Sequence, residues 1–166
     1  TGEIALCILS AINIGTIKDN SDLKELCDIA VRSLDAIIDY QKYPVVAAEK
    51  STKARRSLGI GYIGLAHYLA KNKVIYSDPK AWQLVNKLTE SFQYYLLQAS
   101  NNLAREKGVC AYYPRTKYAD GILPIDTYKK DIDTVVAPDL QHDWEELRKN
   151  IQLWGLRHST LSAQMP

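Results

Sequence analysis

The sequence has few of the features that mark a specialised class of protein. It contains only three cysteines in 166 residues, and none of them form a Cys-x-x-Cys pair. This odd, sparse set argues against a disulfide scaffold or a structural zinc site and fits a reducing compartment. The charge is also nearly balanced, with 21 Lys and Arg against 19 Asp and Glu. The balance predicts no electrostatic footprint for nucleic acid or an anionic membrane.

Long hydrophobic runs and targeting signals are absent as well. No apolar run approaches the roughly 18 residues of a membrane-spanning helix, and the N-terminus does not resemble a signal peptide. Apolar residues make up 46% of the chain, which is typical of a globular domain. The chain opens at Thr1 without a Met and stops at Pro166, directly after a strand-like stretch. Because natural domains usually start and stop in polar segments, we expect a piece of a larger protein.

Two stretches near the ends of the chain predict β-strands. Residues 4–14 are almost continuously apolar, which predicts a strand buried on both faces, as in a parallel sheet. One face of this strand carries the smaller side chains, including those of Cys7 and Leu9, and leaves room for a ligand or a packing helix. From Ser159 onwards, alternating apolar and polar residues predict a final strand. Two strands are too few to complete a sheet.

The region between these strands is predicted to be rich in helices. Apolar residues at helical spacing follow a cap at Asn20 or Ser21 and continue to Tyr40. A longer helix of about 29 residues is predicted from Pro79 to a stop at Gly108. The order of strand, helices and strand predicts a helix-rich α/β fold.

Shorter elements are predicted around these helices. A short helix is expected through His67 and Leu69, and one or two helical turns near 127–134. A last helix is expected to open at 138–139 and to end at Gly155. The basic stretch 50–56 is interpreted as a solvated loop rather than a phosphate contact.

Residues 59–64 spell Gly-x-Gly-x-x-Gly, a motif that occurs in dinucleotide sites. Such a site requires a buried strand before the motif, so that helix N-terminal amides face the pyrophosphate. Residues 53–58 do not have the pattern of a strand, and Asp78 resembles the first turn of a helix. We therefore expect these glycines to serve close packing.

Other chemistry-bearing side chains form no recognisable constellation. The histidines have no Asp, Glu or Cys at the spacing of metal ligands. The serines do not lie in the sequence context of a nucleophile elbow. The two acids are interpreted as helix caps or surface residues and not as an acid/base pair. These residues are His67, His142, His158, Ser10, Ser159, Ser162, Asp126 and Asp131.

The three cysteines differ in their predicted surroundings. Cys27 lies in the middle of a helix and is predicted to be a small core residue. Cys110 follows a helix end and is expected to be partly exposed. Cys7 lies within the first predicted strand, and residue physics alone favours an inert, buried thiol there.

Several segments resemble one known family, and they occur in the same order along the whole chain. They are residues 2–7 with 9–11, 55–61, 93–97, 121–131 and 159–166. The string GILPIDTYKKD at 121–131 is the most specific of them. The chain resembles the large (alpha) subunit of class I ribonucleoside-diphosphate reductase, of the enterobacterial and T-even phage type.

The resemblance implies a fold and three site residues. The family folds as a ten-stranded α/β barrel of two halves, and residues 1–166 correspond to an incomplete barrel domain at the start of the second half. Cys7 matches one of two redox-active cysteines that reduce the ribose 2′ position and end as a disulfide. Leu9 matches a position beside the nucleotide. Pro166 matches the first residue of the loop that receives the substrate diphosphate.

The resemblance also implies partners and sources of chemistry outside this span. The family's Asn-x-Cys-x-Glu radical loop does not occur in the sequence. No cofactor or metal is expected within 1–166, because the radical comes from a metal-containing small (beta) subunit and ATP or dNTP effectors bind elsewhere. Expected partners are a ribonucleoside diphosphate, that small subunit, thioredoxin or glutaredoxin, the rest of the large subunit and a second large subunit. The expected location is the cytoplasm. The alternative is a non-catalytic scaffold segment or split-gene piece that acts only when assembled.

Overall fold

Three parallel strands form a sheet against which two helices pack. The computed structural model describes residues 2–164, apart from the side chains of Asn20 and of 162–164. The strands are β1 (Ile8–Asn13), β2 (Leu58–Ile63) and β3 (Leu161–Gln164), and β2 lies between the other two. Ile8 lies in register with Leu58, which in turn lies in register with Leu161. The prediction of an α/β fold is confirmed.

Six α-helices connect and cover the strands in the described part of the chain. They are α1 (Asn20–Tyr40), α2 (Val46–Arg55), α3 (Leu65–Lys71), α4 (Pro79–Lys107), α5 (Pro124–Thr127) and α6 (Trp144–Trp154). Short 3-10 turns occur at Ile14–Thr16, Tyr113–Arg115 and Lys130–Thr134. None of the helices in residues 2–164 is both long enough and apolar enough to cross a membrane.

The core lies between the sheet and helices α1 and α4, which pack against each other. The strands contribute Ile12 from β1 and Leu58, Ile60 and Tyr62 from β2. Phe92 on α4 is fully buried and contacts the Tyr62 ring edge-on, with 5.4 Å between the ring centroids. Aromatic pairs in this geometry contribute about 0.5–1.5 kcal/mol beyond the area they bury, so they fix α4 to the central strand.

The predicted boundaries hold best where capping residues are strong. As predicted, α4 begins at Pro79 and ends before Gly108, and the Asp78 side chain caps its first turn. Helix α1 ends at Tyr40 as predicted, but its cap is Asp19 and not Asn20 or Ser21, because the Asp19 carboxylate accepts hydrogen bonds from the Ser21 and Asp22 amides. The predicted start of the last helix at 138–139 is wrong, because the Asp143 side chain accepts a hydrogen bond from the Glu146 amide and the helix begins at Trp144.

The first strand is shorter than predicted and is not buried on both faces. It begins at Ile8, where its neighbour β2 begins at the opposite residue, Leu58. Residues 2–7 therefore lie outside the sheet, and Ile4 and Leu6 are exposed.

The Gly-x-Gly-x-x-Gly segment contains the central strand that the sequence did not predict. Residues 58–63 are β2 itself, so the motif does not follow a strand, and the described sheet has three strands rather than two. Glycines weaken strand patterns, which is why the pattern was inconspicuous. The stretch 50–56 is also not a loop, since α2 runs to Arg55 and ends on Arg56 in the left-handed conformation.

Gly64 ends the motif in a conformation that other residues rarely adopt. Its φ is +83°, and a Cβ built there would lie 2.5 Å from Asn13 Oδ1, which also accepts a hydrogen bond from the Gly15 amide. Gly64→Ala is expected to lower the free energy of unfolding by about 2 kcal/mol, because left-handed backbone costs other residues about 1–2 kcal/mol and the clash adds to it. Urea unfolding would measure the change. Gly2→Ala is the control, since a Cβ at Gly2 meets nothing within 4 Å, and an equal effect of the two variants would contradict this account.

Candidate active site

Cys7 lies directly before β1, at the end of the sheet where all three strands start. The backbone N–H of the next residue, Ile8, donates to the Ser57 carbonyl at 3.1 Å and begins the pairing with β2. The prediction of a thiol inside a buried strand is wrong, because the strand starts one residue later and Cys7 is exposed. Partial burial nevertheless raises the pKa of the thiol, which therefore remains protonated at neutral pH.

The side of β1 on which Leu9 lies is exposed. Leu9 is 67% exposed, and Ala11, two residues along the same face, is also exposed. The β2 residues in register with them are Gly59 and Gly61, and both of these glycines are buried. Glycine at such positions allows another group to approach the backbone closely. The two faces of β1 thus differ as residue size predicts, with Ile12 packed in the core and Leu9 outside it.

The third residue implied by the resemblance, Pro166, lies outside the described residues. Strand β3 is described to Gln164, and it runs parallel to β2. The structure therefore brings Cys7 and Leu9 together at the start of one strand. The position of Pro166 relative to them stays a prediction.

The other two cysteines are buried. Cys27 lies in the core, as predicted, and burial raises the pKa of its thiol to about 12. The prediction of a partly exposed Cys110 is wrong, because the chain turns back over it and the Tyr113 amide donates to the Cys110 carbonyl at 3.0 Å. Burial raises the pKa of this thiol as well. Cys7 is therefore the one exposed cysteine of the three.

The histidines lie apart from Cys7 in the fold. His67 is exposed on α3, whereas His142 stacks on Tyr94 with 4.4 Å between the ring centroids. His158 is fully buried, and its Nδ1 lies 2.8 Å from Ser100 Oγ. Within residues 2–164, no three His, Cys, Asp or Glu side chains are grouped so that they could hold a metal ion.

A buried charge cluster behind the sheet was missed by sequence reasoning. Asp35 on α1 is fully buried, and its Oδ1 lies 2.6 Å from Arg56 Nε and 3.1 Å from Arg157 Nε. His158 Nε2 lies 3.3 Å from the same oxygen, and Lys107 Nζ lies 3.4 Å from Oδ2. Arg56 and Arg157 shortly precede β2 and β3, so the Asp35 cluster joins α1 to the starts of both strands. The signal was an acid within the apolar stripe of α1, beside Leu34 and Ile38.

Comparison with known proteins shows the family to which the chain belongs. The family described as "Ribonucleotide reductase, barrel domain" matches residues 1–166. The chain is 62% identical over 165 residues to the ribonucleoside-diphosphate reductase subunit alpha of Haemophilus influenzae, covering 99% of this chain and 22% of that protein. It is 56% identical over 129 residues to ribonucleoside-diphosphate reductase 1 subunit alpha of Escherichia coli, covering 78% of this chain and 17% of that protein.

The similarity extends to a phage protein. The chain is 46% identical over 166 residues to the ribonucleoside-diphosphate reductase subunit alpha of Enterobacteria phage T4, again covering 99% of this chain and 22% of that protein. The chain thus spans about a fifth of the length of the relatives that it matches along its whole extent. A match to the family over every residue, together with these identities, shows that the chain belongs to the ribonucleotide reductase barrel-domain family.

Proposed function

We propose that the chain forms part of the catalytic barrel of a ribonucleoside-diphosphate reductase large subunit, in which Cys7 supplies one of two redox-active thiols. One observation carries the proposal: Cys7 is the one exposed cysteine, and it lies directly before a strand on which Leu9 and Ala11 are exposed too. Leu9 on that face is proposed to lie beside the nucleotide, and Pro166 to begin the loop that binds the diphosphate.

The proposed reaction balances with two thiols. The C2′–O bond of the ribose breaks and a C2′–H bond forms, while the hydroxyl leaves as water. The two thiols lose their hydrogens and two electrons and become a disulfide. A disulfide requires Cα atoms about 4.4–6.8 Å apart, and neighbouring strands lie about 4.8 Å apart, so a cysteine on an adjacent strand would be within reach.

The free edge of β1 offers a place for such a strand. In the described part of the chain β1 pairs with β2 alone, and a groove of about 420 Å³ runs along its other side between Ser10 and the α1 residues Leu26 and Ile29. Both of these α1 side chains are exposed. We expect the rest of the large subunit to cover this edge, because an unpaired strand edge invites another strand.

The remaining partners follow from the proposed reaction. The radical would come from a metal-containing small subunit, the electrons from thioredoxin or glutaredoxin, and the regulation from ATP or dNTP effectors bound elsewhere on a dimeric large subunit. These electrons would return the Cys7 disulfide to free thiols between turnovers, as is typical of the reducing cytoplasm.

A single-turnover experiment tests the proposed function. The complete, pre-reduced large subunit is mixed with its radical-generating subunit and a ribonucleoside diphosphate, without any external reductant. We expect deoxyribonucleoside diphosphate to form with the loss of two thiols for each product molecule. Product formation without thiol loss would contradict the dithiol chemistry. No product from an intact complex would favour the non-catalytic scaffold.

A further inference from the structure

Residues 2–7, which carry Cys7, contact the rest of the fold at few points. All six of these residues are exposed. Beyond Cys7 the chain is fixed at Ile8, whose N–H donates to the Ser57 carbonyl. Before it, the Ile4 N–H donates to the Ala47 carbonyl at a long 3.4 Å. The strongest contacts of the segment are those of the Glu3 side chain.

Glu3 binds two side chains from two different parts of the fold. Its Oε2 lies 2.6 Å from Arg55 Nη2, at the end of α2. Its Oε1 accepts a hydrogen bond of 3.1 Å from the hydroxyl of Tyr112, which lies in the turn after α4. The Arg55 guanidinium lies over the Tyr112 ring, with Cζ 3.9 Å from the ring centroid. These three residues form what we call the Glu3 cluster.

Arg55 connects this cluster to the starts of the other strands. It lies three residues before β2, and its carbonyl accepts a hydrogen bond of 2.9 Å from the N–H of Ser159, two residues before β3. Its Nη1 also donates to Ser51 Oγ at 3.0 Å, which fixes the guanidinium against α2. One arginine therefore contacts segments that lead into all three strands.

We propose that Glu3 is a positioning residue, which holds the Cys7 thiol in place for disulfide formation through Arg55 and Tyr112. This inference rests on the proposed function of Cys7. The thiol is four residues from Glu3, at most about 14 Å along an extended chain, and one residue from Ile8. Fixing both sides of so short a segment restricts where the sulfur can lie. Without the Glu3 contacts, the long Ile4 hydrogen bond is the one backbone hydrogen bond that precedes Cys7 within the described residues.

The effect on position can be separated from an effect on folding. The Glu3 and Arg55 side chains are 36% and 29% exposed, and such ion pairs contribute little to the free energy of unfolding. The hydrogen bond from Arg55 lowers the pKa of Glu3, so the carboxylate is charged at neutral pH. Glu3→Gln removes this charge and retains the size of the side chain.

We expect Glu3→Gln in the complete large subunit to lower kcat about tenfold. A displacement of about 1 Å at reacting atoms lowers the rate about a hundredfold, and a smaller displacement of the Cys7 thiol should lower it by less. KM for the ribonucleoside diphosphate and the thermal midpoint should stay unchanged. Iodoacetamide should alkylate Cys7 faster, because the freed segment lets the thiol meet the reagent in more orientations. Tyr112→Phe, which removes the hydroxyl that donates to Glu3 and keeps the ring, should change the same quantities in the same direction by less.

The matched control is Glu49→Gln, which breaks the exposed Glu49–Lys53 pair of 2.7 Å on α2 and should leave kcat and alkylation unchanged. If Glu3→Gln retains the kcat and the alkylation rate of the unchanged subunit, Glu3 does not position the thiol. That result leaves the proposed function intact as long as Cys7→Ser still abolishes turnover. If Cys7→Ser turns over normally, the proposed role of Cys7 fails, and the positioning role of Glu3 fails with it.

Discussion

Cys7→Ser in the complete large subunit is expected to abolish multiple turnover and to change the Kd for the ribonucleoside diphosphate by less than about tenfold, or roughly 1.4 kcal/mol. A serine hydroxyl cannot form the disulfide that would accompany reduction of the ribose. The substitution barely changes the size of the side chain, and Cys7 lies in an exposed segment outside the sheet. The fold and the substrate-binding surface should therefore persist. Steady-state assays and equilibrium binding would measure the two quantities.

The other two cysteines provide matched controls. Cys27→Ala and Cys110→Ala should retain most of the turnover of each folded molecule, because both thiols are buried. Alanine is preferable to serine at these sites, since a buried hydroxyl without a partner would cost stability. Loss of turnover in a folded Cys110 variant would contradict the assignment of the redox thiol. Normal turnover by Cys7→Ser would remove this residue from the mechanism.

Asp35→Asn is expected to lower the free energy of unfolding by about 3 kcal/mol, because removal of one partner leaves a buried charge uncompensated. The Arg56 side chain is only 5% exposed and loses its pairing with the Asp35 carboxylate in this variant. Arg157 loses its contact with the same carboxylate. Asp39 still pairs with Arg56 at 2.9 Å, but Asp39 is 54% exposed and compensates only in part. Chemical denaturation would measure the loss.

Asp39→Asn is the control, and it should cost less than about 1 kcal/mol because that carboxylate is solvated. If both variants lower the free energy of unfolding by the same small amount, the Asp35 cluster does not stabilise the fold. If Asp39→Asn lowers the free energy of unfolding more than Asp35→Asn does, the exposed carboxylate of Asp39 is the more important partner of Arg56.

The Asp35 cluster also gives stability a defined dependence on pH. Burial opposes the charged form of Asp35, but the neighbouring side chains of His158, Arg56 and Arg157 outweigh it and hold the pKa of the carboxyl far below its usual range. The stabilisation is therefore fully present above the unfolded pKa of about 3.9 and is lost as the pH falls towards the folded pKa. Burial lowers the pKa of His158 as well, so stability also falls as the pH drops below about 6.5. Asp35→Asn should flatten the acid limb below about pH 4.

Sequence patterns predicted the elements that carry strong local signals. Pro79 and Gly108 bound α4, and Gly155 ends α6, because proline and glycine each favour one end of a helix. Strand β2 was missed because two glycines interrupt its apolar pattern and its burial comes from its neighbours on both sides. Helix α2 was missed because its basic residues are typical of a solvated loop, and nothing local shows that Arg56 pairs with Asp35 on another helix.

The candidate site could be predicted from the resemblance but not from residue physics. Apolar neighbours of Cys7 indicated an inert core thiol. Nothing in the sequence indicated that β1 starts at Ile8, the residue after Cys7. Exposure of Cys7 depends on where β2 begins, which is a property of the pairing and not of the segment itself. Burial of Cys110 depends in the same way on the turn that follows it.

The most direct test of the account is the redox state of each cysteine after one turnover. The complete, pre-reduced subunit is allowed a single turnover without external reductant and is then quenched in acid. A first alkylating reagent labels the free thiols, and after reduction a second reagent labels the thiols released from disulfides. Mass spectrometry identifies the label on each cysteine. We expect Cys7 to carry the second label in proportion to the product formed, and Cys27 and Cys110 to carry the first. First label on Cys7 at full product yield would contradict the proposed role of Cys7.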